Sequence, residues 1–126
     1  MILVDSSAWL VLLSKGPLSY EVSKYMREGS KSVIVPTVVL FEVYRKIAKT
    51  VSQDEGLAAV ALISTYEIVD ISREIALTAA DLSIRYTLGM ADSLVLAVAR
   101  EYNAVLLTFD YDFHKIPGTK VLKRKV

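Results

Sequence analysis

Residues 104–113 read AVLLTFDYDF. Ala104, Val105, Leu106 and Leu107 form a short apolar run, and Thr108, Phe109, Asp110, Tyr111, Asp112 and Phe113 follow at once. A continuous apolar run of this kind is the pattern of a strand covered on both faces. Carboxylates are seldom buried without a partner. Two of them where a core strand surfaces fit a cation site or a catalytic role. They equally fit a plain turn, because Asp is a common turn residue. The remainder of the chain has to decide.

Working outward, the same kind of run recurs four times. Ile2-Leu3-Val4 opens the chain, Val33-Ile34-Val35 stops at Pro36, and Glu67-Ile68-Val69-Asp70 is the third. Residues 104–107 are the fourth, and Lys120-Val121-Leu122 follows the Pro117-Gly118 turn. Helical patterns fill the intervals. Asp5-Ser6-Ser7 offers capping chemistry for a helix through Trp9, Leu10, Leu12 and Leu13, broken at Lys15-Gly16-Pro17. A second helix covers 19–28, closed by Gly29-Ser30. Thr37 caps a helix over 38–51, with Leu40, Tyr44, Ile47 and Val51 as its apolar stripe. Helices over 52–65, 72–86 and 91–102 complete the set, with Gly89 as a breaker. Strands alternating with helices predict an α/β three-layer sandwich around a central, mostly parallel five-stranded sheet. The expectation is a single domain over residues 1–126.

Composition narrows the chemistry. The 126 residues are 53% hydrophobic, which supports a packed core. With 15 basic and 14 acidic residues, overall charge points to no particular partner. The absence of cysteine excludes disulfides, thiolate metal sites and thiol nucleophiles. His114 is the one histidine, which excludes paired-histidine catalysis and multi-histidine zinc sites within one chain. No glycine-rich phosphate loop is present. Met1-Ile2-Leu3-Val4 lacks a basic flank and is interrupted by Asp5, and no apolar run approaches the ~18 residues of a membrane helix. The expectation is a soluble, cytoplasmic protein.

The predicted topology gives the acids a common destination. In a parallel α/β sheet, strand C-terminal ends and helix N-termini share one edge, where ligands bind. Asp5 follows the first strand and Asp110 the fourth. Glu42 and Asp92 lie in early turns of the helices after the second strand and after Gly89. Each has a structural alternative: Asp5 as an N-cap, Glu42 paired with Lys46, Asp92 favouring the helix dipole. Their joint placement favours a site. Converging carboxylates raise one another's pKa unless a cation intervenes, and hard oxygen ligands suit Mg²⁺ or Mn²⁺. Asp70 also follows an apolar run, but the third strand is expected outside the second, away from the crevice. Ser6, Ser93 and Thr108 lie beside the acids as candidates to orient water or a ligand, Ser6 and Thr108 as supporting site residues; capping hydroxyls are the alternative that suits Ser6 and Ser93 better. Lys120, Lys123, Arg124 and Lys125 form a basic run that suits either phosphate contacts or a lysine-protected edge strand.

With these residues placed, the chain resembles the PIN-domain family, and most closely the VapC-type toxins of toxin–antitoxin pairs. The matching pieces are Leu3-Val4-Asp5-Ser6-Ser7, Pro36-Thr37 leading to Phe41-Glu42-Val43, Met90-Ala91-Asp92-Ser93, and Leu107-Thr108-Phe109-Asp110-Tyr111-Asp112-Phe113. The resemblance implies a metal-dependent endoribonuclease that hydrolyses RNA phosphodiesters. Asp5, Glu42, Asp92 and Asp110 would be the catalytic acids holding Mg²⁺ or Mn²⁺, with Asp112 an auxiliary ligand and Thr108 a supporting hydroxyl. It further implies a homodimer and an antitoxin protein that blocks the site. Lys15, Arg45, Lys46, Lys49 and Lys115 are candidates for holding RNA. Trp9, Leu13, Tyr20 and Tyr25 are candidates for the antitoxin groove, with ordinary core as the alternative for Trp9 and Leu13. Two rival readings stand beside it. One is a non-catalytic PIN-like module that binds RNA or protein. The other is a receiver-type phosphoacceptor domain, for which Asp70 and Lys123 would need roles in a poor register.

Overall fold

The computed structural model describes residues 1–28 and 32–123. Gly29 and Ser30, expected to close the second helix, and Arg124 and Lys125 of the basic run lie outside the described residues. The elements are β1 (Ile2–Val4), α1 (Ser6–Ser14), α2 (Ser19–Arg27), β2 (Val33–Pro36), α3 (Thr37–Thr50), α4 (Gln53–Ile63), β3 (Glu67–Val69), α5 (Arg73–Tyr86), α6 (Met90–Glu101), β4 (Val105–Thr108) and β5 (Thr119–Val121). A single 3₁₀ turn, Tyr111–Phe113, joins β4 to the segment before β5.

The five strands form one sheet in the order β3-β2-β1-β4-β5, and every pairing is parallel. The three middle strands supply the sheet's buried centre: Leu3, Val4, Ile34, Val35, Leu106 and Leu107 are all buried. Helices cover the sheet, with α3 packed on α4 and α5 on α6. α6 buries Val95, Leu96, Ala97, Val98 and Ala99, which explains why it reads as apolar almost all round. No single helix among the described residues is long and apolar enough to cross a membrane.

Several local expectations shift. Pro36 does not stop β2 but is its last residue, and it also serves as N-cap of α3 in place of Thr37. Proline lacks a backbone N–H, and a first-turn or cap position is where that loss costs least. The last two strands each begin and end one residue off the expected bounds. β4 starts at Val105 and takes in Thr108, and β5 is Thr119–Val121. Val105 is 43% exposed although it belongs to a continuous apolar run, because it sits at the strand's N-terminal end. Trp9 is fully buried, and its ring packs on Tyr66 with centroids 5.5 Å apart. It belongs to the core and lines no groove.

Leu106 and Val105 separate burial from strand propensity on one strand. Leu106→Ala is expected to lower unfolding free energy by about 2–5 kcal/mol. Val105→Ala should cost about 1 kcal/mol or less. Urea denaturation of the two variants checks the contrast.

Candidate active site

The register of β1 against β4 builds the site's floor. Val4 pairs with Leu107, and the Asp5 N–H donates to the Leu107 carbonyl at 2.9 Å. Asp5 and Thr108 are therefore neighbours at the C-terminal edge of the sheet, though 103 residues apart in sequence. Asp5 is the N-cap of α1 and accepts from the Ser6 N–H at 2.8 Å. The Thr108 hydroxyl donates to its other oxygen at 2.7 Å. The Ser7 hydroxyl donates to the same Asp5 oxygen at 3.4 Å and lies 3.1 Å from Thr108 Oγ1. Ser7 Oγ in turn accepts from the Phe109 N–H at 3.0 Å, and Thr108 Oγ1 accepts from the Asp110 N–H at 3.0 Å. Two hydroxyls thus fasten the β4 exit to the β1 exit.

Asp110 caps the 3₁₀ turn, accepting from the Asp112 N–H at 2.9 Å. That bond turns the chain so that Asp110 and Asp112 face Asp92 in the first turn of α6. Carboxylate oxygens of Asp92, Asp110 and Asp112 lie within 4.8 Å of one another. Asp92 and Asp110 are half-buried and Asp112 is exposed. Glu42, half-buried on α3, shares the electrostatic field of the same acids.

The field is repulsive. Burial raises the Asp5 pKa above its ordinary value, opposed first by the Thr108 hydrogen bond and then by the Ser6 N–H. Burial also raises Glu42, aided by the charge of Asp5 and opposed by the Ser6 hydroxyl. Asp92 is pushed up to about 7, by burial first and then by Asp110, Asp5, Glu42 and Asp112. Among the described residues no ion pair involves these acids; Lys24–Glu28, at 3.8 Å, lies at the C-terminal end of α2. Glu42 makes no ion pair with Lys46, so the surface-pair alternative for Glu42 does not hold. A set of hard oxygens, partly desolvated and without a counter-charge, fits a divalent cation.

Other candidates fall in different places. Asp70 is exposed at the end of edge strand β3, two strands from Asp5, and takes no part. Ser93 is buried, and its hydroxyl donates to the Met90 carbonyl at 2.8 Å, a local helix bond. Arg45 and Lys46 share a cleft with Ser6, Phe41 and Glu42. Lys15 lies with Lys46 along an apolar groove of about 600 Å³ that Leu10, Leu13, Ile47 and Leu62 also line. Lys49 lines a separate hollow with Tyr44, and Lys115 is exposed. The apolar residues expected in one groove are dispersed. Leu13 lies on that groove, Tyr25 lines another between α2 and β5, Tyr20 is exposed, and Trp9 is core. Ser7 was not singled out from the sequence. Its signal was the second serine of Asp5-Ser6-Ser7, masked because serines near a helix start read as caps.

The PIN domain family model matches residues 2–119. No curated protein matches the chain. Among solved structures it is similar to a toxin–antitoxin complex from Klebsiella pneumoniae, at 24% identity and TM-score 0.82, covering 98% of this chain and 100% of that one. It is similar to VapBC2 from Rickettsia felis bound to a DNA fragment from their promoter, at 20% identity and TM-score 0.77, covering 98% of each chain. It is also similar to VapC20 from Mycobacterium tuberculosis, a sarcin-ricin loop cleaving toxin, at 18% identity and TM-score 0.77, covering 93% of this chain and 95% of that one.

Thr108→Val keeps the shape and removes the hydroxyl. It should cost about 1–3 kcal/mol of stability and raise the Asp5 pKa further. Denaturant unfolding and carboxylate NMR titration check the two effects.

The raised acids also set a pH dependence. A carboxyl whose folded pKa exceeds its unfolded value stabilises the fold at low pH, and that contribution disappears as pH rises through the folded value. For Asp92 the window runs from its ordinary 3.8 to about 7. The Tm of cation-free protein should therefore fall by about 2–5 °C between about pH 5 and about pH 8. Asp92→Asn should flatten that fall, and added Mn²⁺ should reverse it in the wild type only. Thermal melts at the two pH values check this.

Proposed function

The chain belongs to the PIN-domain family, and from that premise we propose that it is a metal-dependent endoribonuclease and the toxin of a toxin–antitoxin pair. The observation that carries the proposal is the convergence of Asp5, Glu42, Asp92 and Asp110 at one sheet edge, where they repel one another and make no ion pair among the described residues. Asp5, Glu42, Asp92 and Asp110 would hold Mg²⁺ or Mn²⁺, with Asp112 as an auxiliary ligand. A divalent cation bound there lowers the pKa of water and offsets charge on a phosphoryl group.

The chain's own residues supply the rest. Asp5 is held in place by the Ser6 N–H and the Thr108 hydroxyl, so its carboxylate needs no reorganisation to act as a ligand. Burial and the neighbouring acids push the Asp92 pKa up to about 7, so a cation held there would displace its proton. Without that charge the acids repel a phosphate. Arg45 and Lys46, in the cleft beside Ser6 and Glu42, are placed to hold the RNA backbone. An antitoxin partner, supported by the similarity to toxin–antitoxin complexes, and a homodimer, which the family resemblance implies, complete the reading.

Of the rival readings, the receiver-type domain is disfavoured by topology. That fold orders its strands 2-1-3-4-5, whereas this sheet is ordered β3-β2-β1-β4-β5. Asp70, its candidate phosphoacceptor, ends an edge strand. The non-catalytic binding module is the alternative outcome of the following test.

RNA 5′-ends are mapped in cells after induction of wild type and of Asp5→Asn at matched soluble levels. New discrete ends are expected with wild type only. The purified protein should cut the mapped RNA in Mn²⁺ or Mg²⁺, stop in EDTA, and lose at least about 100-fold in rate in Asp5→Asn. Equal RNA profiles for the two proteins, with RNA still bound, would assign the binding-module function instead.

A further inference from the structure

The 3₁₀ turn that carries the acids presents three rings, and the fold uses only one of them internally. Phe113 is fully buried. Tyr111, flanked by Asp110 and Asp112, is 69% exposed. Its ring lies flat on His114, with centroids 4.0 Å apart and planes 5° from parallel. Residues three apart eclipse one another on a 3₁₀ turn, which brings these two side chains into register. A second bond locks them: His114 Nδ1 lies 2.7 Å from the Tyr111 carbonyl oxygen. A carbonyl only accepts, so Nδ1 carries the proton. The turn is itself anchored, because the Thr119 hydroxyl at the start of β5 reaches the carbonyls of Phe113 and Ile116 at 2.8 and 2.7 Å.

The stacked pair is therefore ordered before any ligand arrives, which removes much of the entropic cost of binding on it. It lines a groove of about 620 Å³ together with Val121, Leu122, Lys120 and Lys123. The groove thus offers aromatic faces and apolar wall for a planar ring, and ammonium groups for an anion. Lys120 also sits over the Tyr25 ring, at 5.8 Å, and Lys123 is exposed just past the end of β5. Unpaired RNA is the ligand class whose chemistry matches: each base has a face that stacks on aromatic side chains, and each linkage carries a negative charge.

We propose that Tyr111 and His114 form a stacking platform for an unpaired base of the RNA, beside the phosphate bound at the acids, with Lys123 contacting the adjoining backbone. The platform rests on the nuclease reading and extends it, with Tyr111 as a positioning residue.

The test reads binding without cleavage. A short single-stranded oligoribonucleotide carries 2-aminopurine at one position, scanned along the strand, and is titrated with Asp5→Asn protein in Mn²⁺. Quenching of the fluorophore at one or two adjacent positions is expected. Adding Tyr111→Ala should abolish that quenching and weaken binding about tenfold or more, whereas Tyr111→Phe and Tyr111→Trp should keep both. Mn²⁺ affinity, measured by calorimetry on the wild-type background, should be unchanged in Tyr111→Ala. Equal binding and quenching in Tyr111→Ala and Tyr111→Phe would overturn the platform and leave the rings to a protein contact. Joint loss of Mn²⁺ and RNA binding in Tyr111→Ala would also overturn it, making Tyr111 a support of the acidic turn. Cleavage by wild type separates the two readings. RNA cut with no stacking signature defeats the platform alone, and RNA stacked but uncut defeats the nuclease alone.

Discussion

The bond from the Thr108 hydroxyl to the buried carboxylate of Asp5 is the contact on which the site depends. It exists because β1 and β4 run parallel in a register that pairs Val4 with Leu107. A shift of one residue would turn the alternating side chains to the opposite face and separate the two. The same hydroxyl accepts the Asp110 N–H, so one oxygen aligns the exits of both strands. Ser7 adds a second tie across the same gap through the Phe109 N–H. These hydrogen bonds oppose, without cancelling, the burial that raises the Asp5 pKa.

Around that bond the fold tolerates a local cost. Five acids share one field, and the burial of Asp5, Glu42 and Asp92 adds to their repulsion. The surrounding structure offsets it: a sheet centre of buried aliphatic strands and an α6 that is apolar on most sides. Such an arrangement is usual where a protein keeps a site ready for a ligand that supplies the missing charge.

The acids were legible in the sequence because topology converts order into place. Each follows a strand or opens a helix, and parallel strands send all such positions to one edge. Asp70 was separable by the same logic, since strand order puts β3 outside β2. Ser7 was not legible, because its part depends on reaching across to β4, and sequence spacing carries no cross-strand distance. The surface positions fared worst. Trp9 is core, as its ordinary-core reading has it, but Tyr25 lies on a different groove from Leu13, because α1 and α2 turn different faces outward, and short helices leave their facing ambiguous.

By itself the sequence determined the element order, the parallel α/β class and the identity of the converging acids. Hydrophobic runs, breakers and caps act over a few residues, so local chemistry is enough to read them. Only the tertiary structure decided the strand register, the hydroxyl ties of Ser7 and Thr108, the pushed-up carboxyl of Asp92, and the flat stack of Tyr111 on His114. Hydrogen bonds depend on tenths of an ångström, and desolvation depends on everything packed around a group. Neither quantity exists until distant segments have met.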